Sequence, residues 1–174
     1  VIPETIDLDD GFVRLHAPRQ VSSVHGMDAA DELLAIEQIK QLKARYFRTM
    51  DTKDWDGYES VFAPDAVLDV SGESAVPDDE GVIRGNTNIA AYVRSQVDPV
   101  VTVHHGHMPE IQITSPTTAT GVWSMEDMLR WPEGGPIGEM HGYGHYHETY
   151  EKVDGEWRIA SCTLTRLRVD FDAP

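Results

Sequence analysis

A chain of 174 residues with 40% apolar and 25% charged side chains has the composition of one ordinary globular unit, long enough to bury a core without covalent staples. Its formal net charge of −16 argues against a surface for nucleic acid or anionic lipid, which needs clustered Lys and Arg, and no run of about 18 apolar residues is present to span a bilayer. The single cysteine, Cys162, has no internal disulfide partner, and the chain from Val1 shows no signal-peptide pattern, so a reducing, cytoplasmic compartment is expected.

Residues 1–27 mix Pro3, Gly11, Pro18 and Gly26 with short alternations such as Phe12-Val13-Arg14-Leu15. They read as an N-terminal arm, laid on a neighbouring subunit or only partly ordered, ahead of a single domain at 28–174. From Asp28 the apolar residues Leu33, Ile36, Ile39, Leu42, Tyr46 and Met50 recur at three- and four-residue spacing, which predicts a long amphipathic helix. Glu37, Lys40, Lys43 and Arg45 fall largely on its solvent side. Asp28 is the expected N-cap, with Asp31 and Glu32 in the first turn, where carboxylates favour the helix dipole. Asp51 closes this helix, and Asp51, Thr52 or Asp54 caps a second one over 55–62, stopped by Pro64.

A short strand is expected over 66–71, then a polar loop over 72–81. A third helix follows, capped within Gly85-Asn86-Thr87-Asn88 and broken at Asp98-Pro99. Beyond Pro99 the apolar period becomes two, and strands are expected over 101–107, 110–114, 119–131, 138–153 and 156–169. Asp154-Gly155 between the last two is a strong hairpin signal. Helices first and a long antiparallel meander afterwards give an α+β fold: a cone-shaped barrel of curved antiparallel sheet covered by three helices. Its apolar interior suits a small hydrophobic ligand.

Three places in this pattern carry chemistry. Tyr46 and Asp51 put a phenol and a carboxylate at one helix end, where Asp51 either caps the next helix, partners a catalytic base, or does both. On the strand beginning at Val101, His104 points to one face and His105 and His107 to the other, so only one set lines the interior. A histidine held by a carboxylate is the standard general base near neutral pH, because the carboxylate fixes the tautomer and stabilises the imidazolium. Asp127 stands in an apolar row with Trp123, Met125, Leu129 and Trp131. Buried there it must be protonated or paired, with Arg166 or Arg168 as the available cation.

His105-x-His107 and His145-x-His147 are two metal-like pairs, but three helices do not belong to a metal-binding β-sandwich, and no metal is expected. Phosphate-cradling loops, dinucleotide fingerprints and nucleophile elbows are absent from the sequence. Cys162 sits mid-strand and reads as a buried, inert thiol.

The stretch Ile39-Lys40-Gln41-Leu42-Lys43-Ala44-Arg45-Tyr46-Phe47-Arg48, followed by Asp51 and Trp55, resembles the opening of the SnoaL-like branch of the nuclear transport factor 2 superfold. His104-His105-Gly106-His107-Met108-Pro109-Glu110-Ile111, Thr118 to Trp123, Glu126-Asp127 and Tyr150 to Trp157 resemble the bile acid 7α-dehydratase family, with scytalone dehydratases as relatives. The resemblance runs from Leu33 to about Phe171. It implies a commonly trimeric enzyme that eliminates water from a steroid with no cofactor and no metal. It also implies catalytic roles for Tyr46, Asp51, His104, Asp127 and Arg166. One family tyrosine corresponds to Val70 here, and Tyr58, Tyr92, Tyr143 and Tyr146 are the candidates to replace it.

The expected function is therefore a cofactor-independent hydro-lyase acting on a hydrophobic polycyclic, steroid-type alcohol. It would be a homo-oligomer, with a trimer favoured, and have no nucleic-acid or membrane partner. Alternatives on the same fold are a ketosteroid isomerase-like or polyketide cyclase-like enzyme, or a non-catalytic small subunit of a ring-hydroxylating dioxygenase.

Overall fold

In the computed structural model, which describes residues 26–72, 81–135 and 138–172, the first regular element is the helix α1, Ala29–Asp51. The arm expected over residues 1–27 lies almost wholly outside the described residues, as does most of the loop expected over 72–81. Asp28 caps α1 as expected, accepting from the Asp31 backbone N–H at 2.8 Å. The buried face of α1 is Ala35, Ile39, Leu42, Lys43, Tyr46, Thr49 and Met50. Two expectations are corrected here. Leu33 is 67% exposed, and Lys43, expected on the solvent side, is buried.

The helix ends where the Thr52 backbone N–H and Oγ1 both donate to Arg48 O, and Lys53 turns the chain at a positive φ of 60°. Asp54 then caps α2, Trp55–Ser60, accepting from the Gly57 N–H at 3.0 Å. Asp51 is therefore not the cap of the second helix. That helix is shorter than expected, because Phe62 already starts the strand β1, Phe62–Asp69. A three-residue strand β2, Val82–Arg84, precedes α3, Asn86–Val97, and pairs antiparallel with β1. It was not expected from sequence, being too short to show a period.

Four long strands complete the chain: β3 Val101–Ser115, β4 Thr118–Arg130, β5 Glu139–Val153 and β6 Glu156–Asp172. The two strands expected over 101–114 are one strand with a register shift between Gly106 and Pro109. The sheet runs β2-β1-β6-β5-β4-β3. It has β2 and β3 as edges and forms the expected curved sheet covered by three helices. It is also mixed, because β1 pairs parallel with β6. Asp154 and Gly155, at φ 52° and 84°, form the expected β5–β6 hairpin turn.

The helices cover one face of the sheet, α1 against β3 and β6 and α3 against β1. Ile39, Leu42, Tyr58, Ala66, Ile89, Ile159 and Cys162 are fully buried between them. Each large apolar side chain buried this way contributes about 1.5–3 kcal/mol. No helix among the described residues is long and apolar enough to cross a membrane.

Candidate active site

At the end of α1 the Asp51 carboxylate turns toward β3. Its Oδ1 accepts from His104 Nδ1 at 2.6 Å and from Thr102 Oγ1 at 2.8 Å, while Oδ2 accepts from the His104 backbone N–H at 2.9 Å. A carboxylate has no proton to give, so His104 Nδ1 is the donor, and in the neutral ring that leaves the lone pair on Nε2. Lys53 Nζ supports the arrangement by donating to Thr102 Oγ1 at 3.0 Å. Burial works to raise the Asp51 pKa, but it is outweighed by the hydrogen bond and charge of His104, its backbone N–H and Thr102. The result lies below the usual value. Because Asp54 serves as the cap, both Asp51 oxygens are available to orient His104.

The imidazole is also held by packing. The Phe47 ring lies nearly parallel to it, 12° between planes and 6.5 Å between centroids. Gly106, two residues further along the same face, makes room for Phe47, since a Cβ there would stand 2.7 Å from its ring.

Asp127 sits directly opposite His104 in the β3–β4 register, and on its other side opposite Gly142 of β5. Arg166 reaches it across that glycine: Nη1 donates to Oδ1 and Nη2 to Oδ2, each at 2.8 Å. A Cβ at Gly142 would collide with both partners, so the bare backbone is what lets them meet. The fork-to-fork pair uses both Asp127 oxygens as acceptors, so of the two ways to bury this carboxyl, protonated or paired, the structure has the pair. It also decides between the two candidate arginines. Tyr143 pairs with Arg168 and Gly144 with Arg166, so a bulge at Leu167 sends the two arginines to opposite faces. Arg168 instead bonds Asp170 at 2.8 Å.

Tyr46 lies one aromatic layer behind the dyad, its ring 5.3 Å from Phe47, 5.2 Å from Tyr58 and 5.9 Å from Tyr146. Burial pushes its phenol well above the ordinary value, so the hydroxyl stays protonated and remains a donor. No hydrogen bond joins it to Asp51 or His104 among the described residues. Of the four tyrosines considered for the phenol missing at Val70, Tyr143 is on the opposite face with His141, and Tyr58 is buried with no well-formed hydrogen bond. Tyr146 is on the site face, where burial raises its pKa and the negative charge of Asp127 adds to the rise.

A buried polar group that the sequence reading missed lies beneath these rings. Lys43 Nζ is 2.5 Å from Glu148 Oε1, and both side chains are 0% exposed. Tyr150 Oη donates to the other Glu148 oxygen and accepts from Trp123 Nε1 at 2.8 Å. The signal available in sequence was the position of Lys43, three residues before Tyr46 and four after Ile39, inside the apolar stripe.

The opposite face of the sheet carries the remaining histidines of β3 and β5. His105, His107 and His141 gather around Glu126 at 3.2, 3.6 and 3.2 Å. No group of three or more potential ligands among the described residues is arranged to hold a metal ion. An open concavity of about 620 Å³ also lies on that face, lined by Glu110, Gln112, Thr120, His147 and Thr149, away from the dyad.

A mixed, curved sheet covered on one face by three helices is the architecture of the nuclear transport factor 2-like class of fold. The SnoaL-like domain model matches residues 31–163, and the chain belongs to that family. It is 28% identical over 151 residues to a probable cyclase of Gibberella zeae, covering 81% of this chain and 95% of the relative. Among solved structures it resembles a hexachlorocyclohexane dehydrochlorinase of type 2, at TM-score 0.71 and 18% identity over 83% of this chain and 93% of the other. It also resembles a Novosphingobium aromaticivorans protein assigned by inference as a scytalone dehydratase, at TM-score 0.71 and 18% identity over 83% and 92%.

Proposed function

We propose that this chain is a small-molecule-converting enzyme, and specifically a cofactor-independent dehydratase acting on a hydrophobic, polycyclic β-hydroxy ketone of steroid type. The observation that carries the reading is the Asp51–His104 pair, at 2.6 Å, reinforced by the backbone N–H of the same histidine. His104 Nε2 takes the proton next to the substrate carbonyl, and the electron pair moves onto the carbonyl oxygen as an enolate. Asp51 stabilises the imidazolium, and Tyr46 donates to the developing oxyanion. The enolate then collapses to the unsaturated ketone as the C–O bond breaks. The imidazolium returns its proton to the departing hydroxide, so that water leaves and the base is regenerated. Arg166, fixed by Asp127, orients the leaving oxygen.

The relatives support elimination or proton-transfer chemistry on this fold by the names they carry. The probable cyclase favours one competing reading, a cyclase or isomerase that uses the same base. Product mass separates the two when the protein is incubated with a panel of hydroxylated polycyclic ketones. Loss of one water supports the lyase, and unchanged mass with a shifted spectrum replaces it by the isomerising or cyclising enzyme. We also propose a homo-oligomer, with a trimer favoured, and light scattering at a single-chain mass overturns it.

A further inference from the structure

The buried Lys43–Glu148 pair has no part in the proposed proton transfer, yet it sits under the two phenols nearest the site. Lys43 Nζ is 3.8 Å from the centroid of the Tyr46 ring and 3.8 Å from that of Tyr146, and those rings stand 5.9 Å apart at 72°. One ammonium thus contacts both rings, at a distance where cation–π attraction is strong in a dry environment. Glu148 fixes the ammonium, Tyr150 fixes Glu148, and Trp123 fixes Tyr150, so the clamp is anchored on β4 and β5. Such a pair is a weak source of stability, because desolvating both charges offsets most of their attraction. Its geometric effect is clear, since it gives Tyr46 of α1 and Tyr146 of β5 a common reference point.

We propose that Tyr146 is the second phenol donor of the active site, filling the role left open at Val70, and that Lys43 is the positioning residue that holds Tyr46 and Tyr146 as a pair. This rests on the proposed reading of the site as one that stabilises an enolate. Tyr146 is on the site face, opposite Trp123 in register and one inward-facing position from Gly144, with Asp127 and Arg166 as its charged neighbours. A cation held against both ring faces fixes the two phenols relative to each other.

The test uses substituted 2-naphthols of graded acidity as oxyanion probes, titrated into the full chain by fluorescence. Tyr146→Phe is expected to weaken binding of the most acidic naphthol by about tenfold, the worth of one hydrogen bond to a charged acceptor, and to flatten the dependence on acidity. Lys43→Met combined with Glu148→Leu removes the clamp without leaving a lone buried charge, and is expected to fold and to weaken the same probe by about threefold to tenfold. With the enzyme's substrate, both variants should lower kcat more than they raise KM. Equal naphthol binding by wild type and Tyr146→Phe, or none by either, overturns the proposal. A dependence on naphthol acidity unchanged in the folded double variant overturns the positioning role of Lys43. His104→Ala separates the two levels: full turnover in that variant defeats the dehydratase reading while leaving the naphthol result to decide the phenol pair.

Discussion

The two faces of one sheet hold the same residue types in opposite circumstances. His104 and His105 are adjacent in β3, yet the His104 side chain is 6% exposed and bonds Asp51 at 2.6 Å with no second histidine on that carboxylate, while His105 is 50% exposed and shares Glu126 with His107 and His141. Glu126 is pulled below its usual pKa by hydrogen bonds from His105 and His141, much as Asp51 is by His104. The difference lies in burial and exclusivity. On the outer face water competes for every partner, so the histidines are interchangeable and their pairs are weak. On the inner face one carboxylate oxygen and one ring nitrogen are locked by backbone, Thr102 and Phe47, which is what a directional base requires. A carboxylate–histidine contact therefore says little by itself about function, and the shell around it says most.

The largest expected effect of that contrast is on turnover. His104→Ala should reduce kcat/KM by about 10²–10⁴-fold, whereas His105→Ala and His107→Ala should stay within about twofold, measured on the same substrate. Equal losses at all three positions would erase the distinction between the faces. The next is stability. Arg166→Met leaves Asp127 as a buried, unpaired charge and should lower the unfolding free energy by about 3–5 kcal/mol in urea titrations, while Glu126→Gln on the outer face should change it by no more than about 0.5 kcal/mol.

A smaller effect is expected from crowding. Gly142→Ala should cost about 1–3 kcal/mol, because the added methyl meets Asp127 and Arg166, and a crystal structure of the variant should show that pair displaced. The smallest concerns acid. The Asp51 pKa is depressed on folding, so its contribution to stability is full above the unfolded carboxyl value of about 3.9 and is lost as pH falls through the lower folded value. The stability difference between wild type and Asp51→Asn should therefore be constant down to about pH 5 and shrink below pH 4. A difference that grows on acidification would reverse the sign assigned here.

Much of the site was legible because it depends on local periods. The 3.6-residue stripe located α1 and its Asp28 cap, and strict alternation from Val101 placed His104 opposite in sense to His105 and His107. Alternation failed wherever a bulge intervened. Arg166 and Arg168 share a parity and should share a face, but the extra residue at Leu167 separates them, and nothing in Thr165-Arg166-Leu167-Arg168 announces a bulge. The register shift between Gly106 and Pro109 likewise gives the single β3 the sequence period of two strands.

The sequence by itself determined the α+β class, the long first helix, the hairpin at Asp154-Gly155 and the list of groups able to do chemistry. Each follows from interactions among residues a few positions apart. Only the tertiary structure decided that Asp54 and not Asp51 caps α2, that Asp127 belongs to Arg166, and that Lys43 is buried against Glu148, 105 residues away. These are choices among competing partners for one polar group, and a partner wins by where the fold brings it, because a buried charge must be satisfied by whichever opposite group arrives within hydrogen-bond reach.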